Sequence, residues 1–113
     1  MKERDIQKQI LHWLKYQKNV YPIRINPVGI PLHNKQGSFR PSGMKGVSDI
    51  VCCVEGYFVA FEVKRPRGKL TREQVEFLNV IRSCGGFAYK VTSLDEVILI
   101  IKKIKERSYV LPQ

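Results

Sequence analysis

The sequence feature that most constrains the fold is a pair of β-rich runs at residues 49–54 and 57–64, separated only by Glu55-Gly56. Two residues are enough for a tight hairpin turn, so we predict antiparallel strands with Val54 opposite Tyr57. In that register Asp49 lies opposite Glu62, and Lys64 shares their face. The other face is apolar and predicts a sheet buried on that side; its members are Ile50, Cys52, Val54, Val59, Phe61 and Val63.

The Asp49–Glu62 pair places two like charges on adjacent strands, which destabilises a sheet unless a cation lies between them. Carboxylate oxygens are ligands that Mg²⁺ prefers, and a bound divalent cation polarises a phosphoryl oxygen and activates water at neutral pH. Lys64 would then orient or help to deprotonate the attacking water. The structural alternative is an Asp that caps a turn and a Glu-x-Lys that forms a solvated strand end.

Helices are predicted on both sides of the hairpin. An apolar stripe of Ile6, Ile10, Trp13 and Leu14 indicates a first helix over residues 4–18. Capping-box patterns begin the other two, at residues 71–74 for a helix over 72–84 and at residues 93–96 for a helix that runs through Ile104.

Short strands at residues 21–26 and 87–91 complete the predicted order α-β-β-β-α-β-α. Between residues 27 and 46 the chain has seven Pro and Gly residues, which predict a long irregular loop. Loops of such length in compact domains are usually functional or disordered.

The charge balance favours a polyanionic partner, because 20 Lys and Arg against 10 Asp and Glu give a formal charge of +10. Four cations follow the hairpin closely: Arg65, Arg67, Lys69 and Arg72. They are predicted to clamp a nucleic-acid backbone, and the alternative is that they form a solvated charged face. Arg24 and Asn26 precede the long loop and Lys45 lies near its end, and all three are candidates for nucleic-acid contacts. For Arg24 and Asn26 the alternative role is to stabilise the loop.

The chain length of 113 residues predicts one domain, spanning residues 1–113. We expect no contact with a membrane, because the sequence has neither an apolar run of spanning length nor a signal-peptide core. Three cysteines, two of them adjacent, suit neither a disulfide framework nor a zinc site, which predicts a cytoplasmic location.

Five ordered motifs over about residues 3–98 resemble the VRR-NUC family of the PD-(D/E)xK nuclease superfamily, in its stand-alone phage or bacterial type. The motifs are Glu3-x-x-Ile6-Gln7, Arg24-Ile25-Asn26, Lys45-Gly46-Val47-Ser48-Asp49-Ile50, Phe61-Glu62-Val63-Lys64-Arg65-Pro66 and Gly68-Lys69-Leu70-Thr71-x-x-Gln74. Ser48 stands where the superfamily name has Pro, a common departure that leaves the metal ligands untouched.

The resemblance implies an α/β restriction-endonuclease-like core with a mixed central β-sheet flanked by helices. It implies phosphodiester hydrolysis with Mg²⁺, for which Mn²⁺ can substitute, and a metal held by Asp49, Glu62 and the main-chain carbonyl of Val63. It also places Gln74 in the active centre, although a capping box gives that residue a purely structural role. Glu3 would reach the metal through water, although a Glu in a first helical turn is common for dipole reasons.

The resemblance further implies a structure-selective DNA endonuclease with four-way (Holliday) junctions as the leading substrate. Two symmetric nicks are simplest for a homodimer, which we therefore expect in the bacterial or phage-infected host cell. Two alternatives remain open: a flap- or end-directed nuclease, and a non-catalytic basic module whose nucleic-acid binding is indifferent to Asp49 and Glu62.

Overall fold

The computed structural model describes residues 1–25, 30–31, 39–40 and 46–110. The helices are α1 (Glu3–Lys15), α2 (Arg72–Ser83) and α3 (Leu94–Val110). The strands are β1 (Val20–Arg24), β2 (Ile30–Pro31), β3 (Phe39–Arg40), β4 (Ile50–Val54), β5 (Tyr57–Val63) and β6 (Phe87–Val91). The predicted helices and strands are all present, with ends that shift by a few residues.

The prediction that residues 27–46 are irregular throughout is wrong at two short segments. Strands β2 and β3 pair as an antiparallel ribbon in which Ile30 lies opposite Arg40 and Pro31 opposite Phe39. Proline is tolerated here because a strand in a two-stranded ribbon has one unpaired edge, where a missing N–H breaks no ladder bond.

The main sheet has the strand order β1-β4-β5-β6. Its first two pairings are antiparallel, whereas β5 and β6 run parallel, so the predicted mixed sheet is confirmed. The hairpin register is also as predicted, with Ile50 opposite Phe61 and Val54 opposite Tyr57. Glu55 and Gly56 both have positive φ, +50° and +91°, the conformation of a type I′ turn.

Two apolar clusters cover the two faces of the sheet. The face predicted to be apolar packs against α1 and α3, where Ile10, Leu14 and Ile101 meet the strands. On the opposite face Leu78 of α2 packs on Val51 and Ala60. The face that carries the carboxylates is therefore apolar where Leu78 packs, and Glu62 lies buried at its polar end beside the first turn of α2.

The capping boxes begin the last two helices. The Thr71 hydroxyl accepts a hydrogen bond from the Gln74 amide at 3.2 Å, and the Gln74 side-chain oxygen accepts one from the Thr71 amide at 2.8 Å. At α3 the Ser93 hydroxyl accepts from the Glu96 amide at 3.3 Å, but the Glu96 carboxylate accepts from the amide of Thr92 rather than that of Ser93. In the described part of the chain, no helix combines the length and the apolar character that crossing a bilayer requires.

Candidate active centre

Asp49 and Glu62 lie together at the open end of the β4–β5 hairpin. Asp49 directly precedes β4, and its Oδ2 accepts a hydrogen bond of 2.8 Å from the backbone amide of Val63. Glu62, the penultimate residue of β5, is only 2% exposed. The predicted hairpin register therefore brings both carboxylates to one place, with Glu62 far less accessible than the sequence pattern alone indicates.

Glu62 is held in an environment that disfavours its charged form. Its Oε1 is buried and has no hydrogen-bond partner among the described residues. Burial raises the pKa of Glu62 from 4.5 to about 9, and the negative charge of the neighbouring Asp49 adds to the rise. Lys64 opposes this shift and Glu3 adds to it. The protein alone therefore favours a protonated Glu62, and a cation at this point would reverse that preference.

Gln74 contacts both the helix cap and the buried carboxylate. Its side-chain oxygen completes the capping box of α2 through Thr71, at 2.8 Å. Its side-chain nitrogen donates a hydrogen bond of 3.2 Å to Oε2 of Glu62. One amide thus ties the first turn of α2 to the buried carboxylate, and the structural role does not exclude a place in the centre.

Gly46 explains how the first turn of α2 approaches the carboxylates so closely. Its φ is +77°, and a Cβ at this position would lie 2.1 Å from the carbonyl oxygen of Glu73. A side chain here would therefore collide with the helix backbone directly before Gln74. Glycine permits the segment that leads to Asp49 to pack against the residues that present Gln74.

Lys64 and Val63 continue β5 beyond Glu62. The Lys64 amide donates to the carbonyl of Val91 at 2.9 Å, which extends the parallel pairing with β6. The half-buried Lys64 side chain is close enough to lower the pKa of Glu62. Because the amide and carbonyl of a strand residue point to the same side, the Val63 carbonyl is directed towards β4, as its amide is.

Glu3 begins α1 and is half-buried. Its negative charge raises the pKa of Glu62, which places the start of α1 near the centre. In the described ranges no group of three or more His, Cys, Asp or Glu side chains converges as a metal-binding cluster. Asp49 and Glu62 therefore stand as a pair of carboxylates within the described residues, with the charge of Glu3 close enough to act on Glu62.

The predicted clamp residues differ in their surroundings. Arg65, Arg67 and Lys69 are exposed in the segment between β5 and α2, directly after the catalytic candidates. Arg72 forms an ion pair of 3.1 Å with Glu76 on α2, and both side chains are exposed. Arg24 is exposed at the end of β1, whereas Asn26 and Lys45 lie outside the described residues.

A basic groove between α1 and β1 was not anticipated. Lys8, Lys15 and Arg24 line a groove of about 380 Å³ together with Leu11, His12 and Pro22. Lys8 and Lys15 are seven residues apart, which places them on one face of a helix. The sequence spacing could have indicated that Lys8 and Lys15 share a helix face. The proximity of these two lysines to Arg24, however, depends on how α1 packs beside β1.

No protein-family profile and no curated protein sequence match this chain. A solved structure described as a VRR_NUC domain protein matches it with a TM-score of 0.60 at 19% sequence identity. The match covers 90% of this chain and 86% of the other. The resemblance to the VRR-NUC family is thereby confirmed at the level of the fold, which is the predicted α/β restriction-endonuclease-like arrangement.

Proposed function

We propose that this chain is a metal-dependent DNA endonuclease that hydrolyses phosphodiester bonds at the Asp49–Glu62 pair. The observation that carries the proposal is the buried Glu62, with an unpartnered oxygen in the described structure and a neighbouring carboxylate that raises its pKa. Such an arrangement costs stability in the protein alone and suits a site that a divalent cation completes. The VRR_NUC name of the structural neighbour supports a nuclease.

Asp49, Glu62 and the Val63 carbonyl would hold Mg²⁺, with Mn²⁺ as a substitute and with Glu3 interacting through water. The donor set fits, because carboxylate and carbonyl oxygens are hard ligands and the buried Glu62 Oε1 has no described partner. When bound, the cation supplies Lewis-acid polarisation of the phosphate and lowers the pKa of water. Lys64 orients the attacking water or accepts its proton, and Gln74 fixes the orientation of Glu62.

The proposed substrate is DNA, with branched DNA and four-way junctions in particular as the structures cut. The formal charge of +10 and the exposed Arg65, Arg67 and Lys69 beside the centre support a polyanionic substrate. Arg72 on α2, and Arg24, Asn26 and Lys45 near the long loop, are proposed as further backbone contacts. Their effect would be to set the register of the DNA without reading its sequence.

A homodimer is proposed as the species that resolves a junction. One chain carries one Asp49–Glu62–Lys64 set, whereas resolution needs a cut in each of two symmetry-related strands. A two-fold dimer holds both sets on one substrate, so the second nick proceeds at a high effective concentration. The proposed location is a reducing cytoplasm, which would keep the exposed Cys53 and Cys84 as thiols.

The test is a nicking assay on a panel of four-way junctions, flaps and linear duplexes with Mg²⁺, Mn²⁺ or EDTA. Metal-dependent cleavage that disappears in Asp49→Ala and Glu62→Ala, but not in Glu106→Ala, supports the endonuclease. Glu106 is the matched control because it is an exposed carboxylate on α3. Metal-dependent turnover that survives in either centre variant contradicts the assignment of that residue.

The same panel separates the proposed resolvase from its alternatives. Paired nicks on junctions support the resolvase, and preferential cleavage of flaps or ends identifies the other class of nuclease. DNA binding that persists in Asp49→Ala and Glu62→Ala, together with no cleavage by the wild type in any metal, identifies a non-catalytic module.

A further inference from the structure

A cavity of about 700 Å³ lies between α1 and the start of α3, with Pro66 in its wall. Its lining is mainly apolar and includes three aromatic rings, those of His12 and Trp13 on α1 and that of Tyr16 directly after the helix. The volume is in the range that binding sites for small organic groups occupy. Nothing in the proposed cleavage chemistry uses this cavity.

The aromatic side of the cavity combines a half-buried ring with an exposed one. Trp13 packs partly against the core, and the side chain of Gln17 donates to its carbonyl at 3.0 Å. Tyr16 is 77% exposed and meets His12 edge-on, with 5.3 Å between the ring centroids. An exposed tyrosine beside a half-buried tryptophan offers ring faces on which a flat group can stack.

Short stretches of chain connect the wall of the cavity to the proposed active centre. Pro66 follows Lys64 by two residues, and the Lys64 amide bonds to Val91, directly before the Thr92-Ser93 turn that forms another part of the wall. His12 also lines the basic groove that contains Lys8 and Arg24. A DNA strand that contacts Lys8 and Arg24 would therefore also come close to His12, which lines both the groove and the cavity.

We propose that this cavity receives one unpaired nucleobase of the DNA strand that is cut, an inference that rests on the proposed endonuclease function. The base stacks on Trp13 and Tyr16, as single-stranded nucleic acid does on aromatic side chains. Gln9 presents polar atoms to the edge of the base, and Asp95 presents an acceptor for an amino group. The negative charge of Asp95 disfavours a phosphate there and therefore favours the base.

The cavity gives the protein a way to distinguish branched from fully paired DNA. In a regular duplex the base must first be unpaired and unstacked, which costs free energy, whereas the cost is smallest where a base is already unpaired. Bases next to a branch point meet this condition most readily. The selectivity then comes from the state of the base, while the cations contact the backbone in either case.

The test measures binding in EDTA, so that it does not depend on cleavage. The DNA is a forked substrate with a single abasic site moved one nucleotide at a time through its unpaired strand. Wild type should bind about 5- to 150-fold more weakly when the abasic site reaches one particular position, as expected when one base no longer stacks on an aromatic ring. Tyr16→Ala should weaken binding to intact DNA to a similar extent, because it removes an exposed stacking surface without disturbing the core.

The matched control is Tyr21→Ala, because Tyr21 is comparably exposed, at 70%, but lies on β1 outside the cavity. The abasic site and Tyr16→Ala remove the same stacking interaction, so their effects should not multiply. Trp13, the single tryptophan, should be quenched by the intact strand and much less by the abasic strand.

Affinities that are equal at every abasic position, or abasic and Tyr16→Ala effects that multiply, would overturn the proposal. An effect of Tyr21→Ala equal to that of Tyr16→Ala would overturn it as well. A wild type that cleaves branched DNA yet is indifferent to both changes refutes the cavity and leaves the endonuclease. Base-dependent binding without any metal-dependent cleavage refutes the endonuclease and leaves the cavity as a binding site.

Discussion

Replacement of Glu62 by Gln should stabilise the protein in the absence of metal. The amide has nearly the same shape as the carboxylate, and its oxygen can still accept the hydrogen bond from Gln74. The NH₂ group of the new amide takes the place of Glu62 Oε1, which has no described partner. This NH₂ group can donate a hydrogen bond to the neighbouring Asp49 carboxylate. Glu62→Gln thus removes the buried repulsion without leaving a cavity.

The expected gain near pH 7 is about 1–3 kcal/mol, the usual cost of a buried polar group without a partner. For a chain of 113 residues, this corresponds to a rise of about 4–15 °C in Tm. The gain depends on pH because the pKa of Glu62 is raised to about 9 in the folded protein from 4.5. The folded state prefers the protonated form, so wild type loses stability as the pH rises from about 4.5 to 9. Glu62→Gln should avoid that loss, with little benefit at pH 4.5 and the largest benefit near pH 9.

The assay is urea denaturation at several pH values with EDTA or with Mg²⁺, and Glu106→Gln serves as the exposed control. Mg²⁺ should stabilise wild type by binding to the folded state, and this increment should be absent in Glu62→Gln. A variant that is less stable than wild type at pH 9 in EDTA would refute the account of Glu62. A gain of the same size at every pH would refute its electrostatic origin.

Four further predictions concern the centre, the clamp and the assembly. Lys64→Ala should lower kcat far more than DNA affinity, because Lys64 acts on the attacking water. Steady-state cleavage rates and DNA binding in EDTA measure the two effects, and equal reductions would make Lys64 a phosphate-binding residue. Gln74→Ala should lower the free energy of unfolding by about 1 kcal/mol, because the Thr71 amide loses its side-chain acceptor in the capping box. It should also reduce kcat, whereas a decrease in stability alone would confine Gln74 to the helix. Alanine at each clamp position should make the slope of log affinity against log salt shallower by about one unit for each phosphate that is no longer neutralised. The change should be smallest at Arg72, because Arg72 already pairs with Glu76. An unchanged slope in the quadruple variant would place the binding surface elsewhere. Light scattering should show a homodimer alone and on a four-way junction, and a monomer that yields mainly singly nicked cruciform plasmid would contradict the resolvase.

The β4–β5 hairpin was predictable because two local signals agree. The two-residue turn defines the pairing partner of each residue, and alternation then decides which side chains share a face. Asp49 and Glu62 followed from that register without any knowledge of the remaining chain. The depth at which Glu62 is buried did not follow, because α2 supplies the cover and a capping pattern does not reveal what a helix packs against.

The cavity and the basic groove were not predictable for the same reason. Trp13 has the spacing of a core residue, and it does pack partly against the core, yet one part of it lines the cavity. That dual position arises only when α1 meets the start of α3, about 80 residues further along the chain. The ribbon of β2 and β3 was missed because proline and glycine there outweighed any strand pattern.

Two neighbouring amides of β5 should report the order in which the centre assembles during folding. The Val63 amide donates to Asp49 across a hairpin with a two-residue turn, whereas the Lys64 amide donates to Val91 across a crossover that includes α2. Local contacts close earlier than distant ones, because forming them costs less chain entropy. In pulsed hydrogen exchange during refolding, Val63 should therefore become protected before Lys64, so that the carboxylates meet before α2 brings Gln74 to them. Simultaneous protection of the two amides would show instead that the hairpin and the crossover form in one cooperative step.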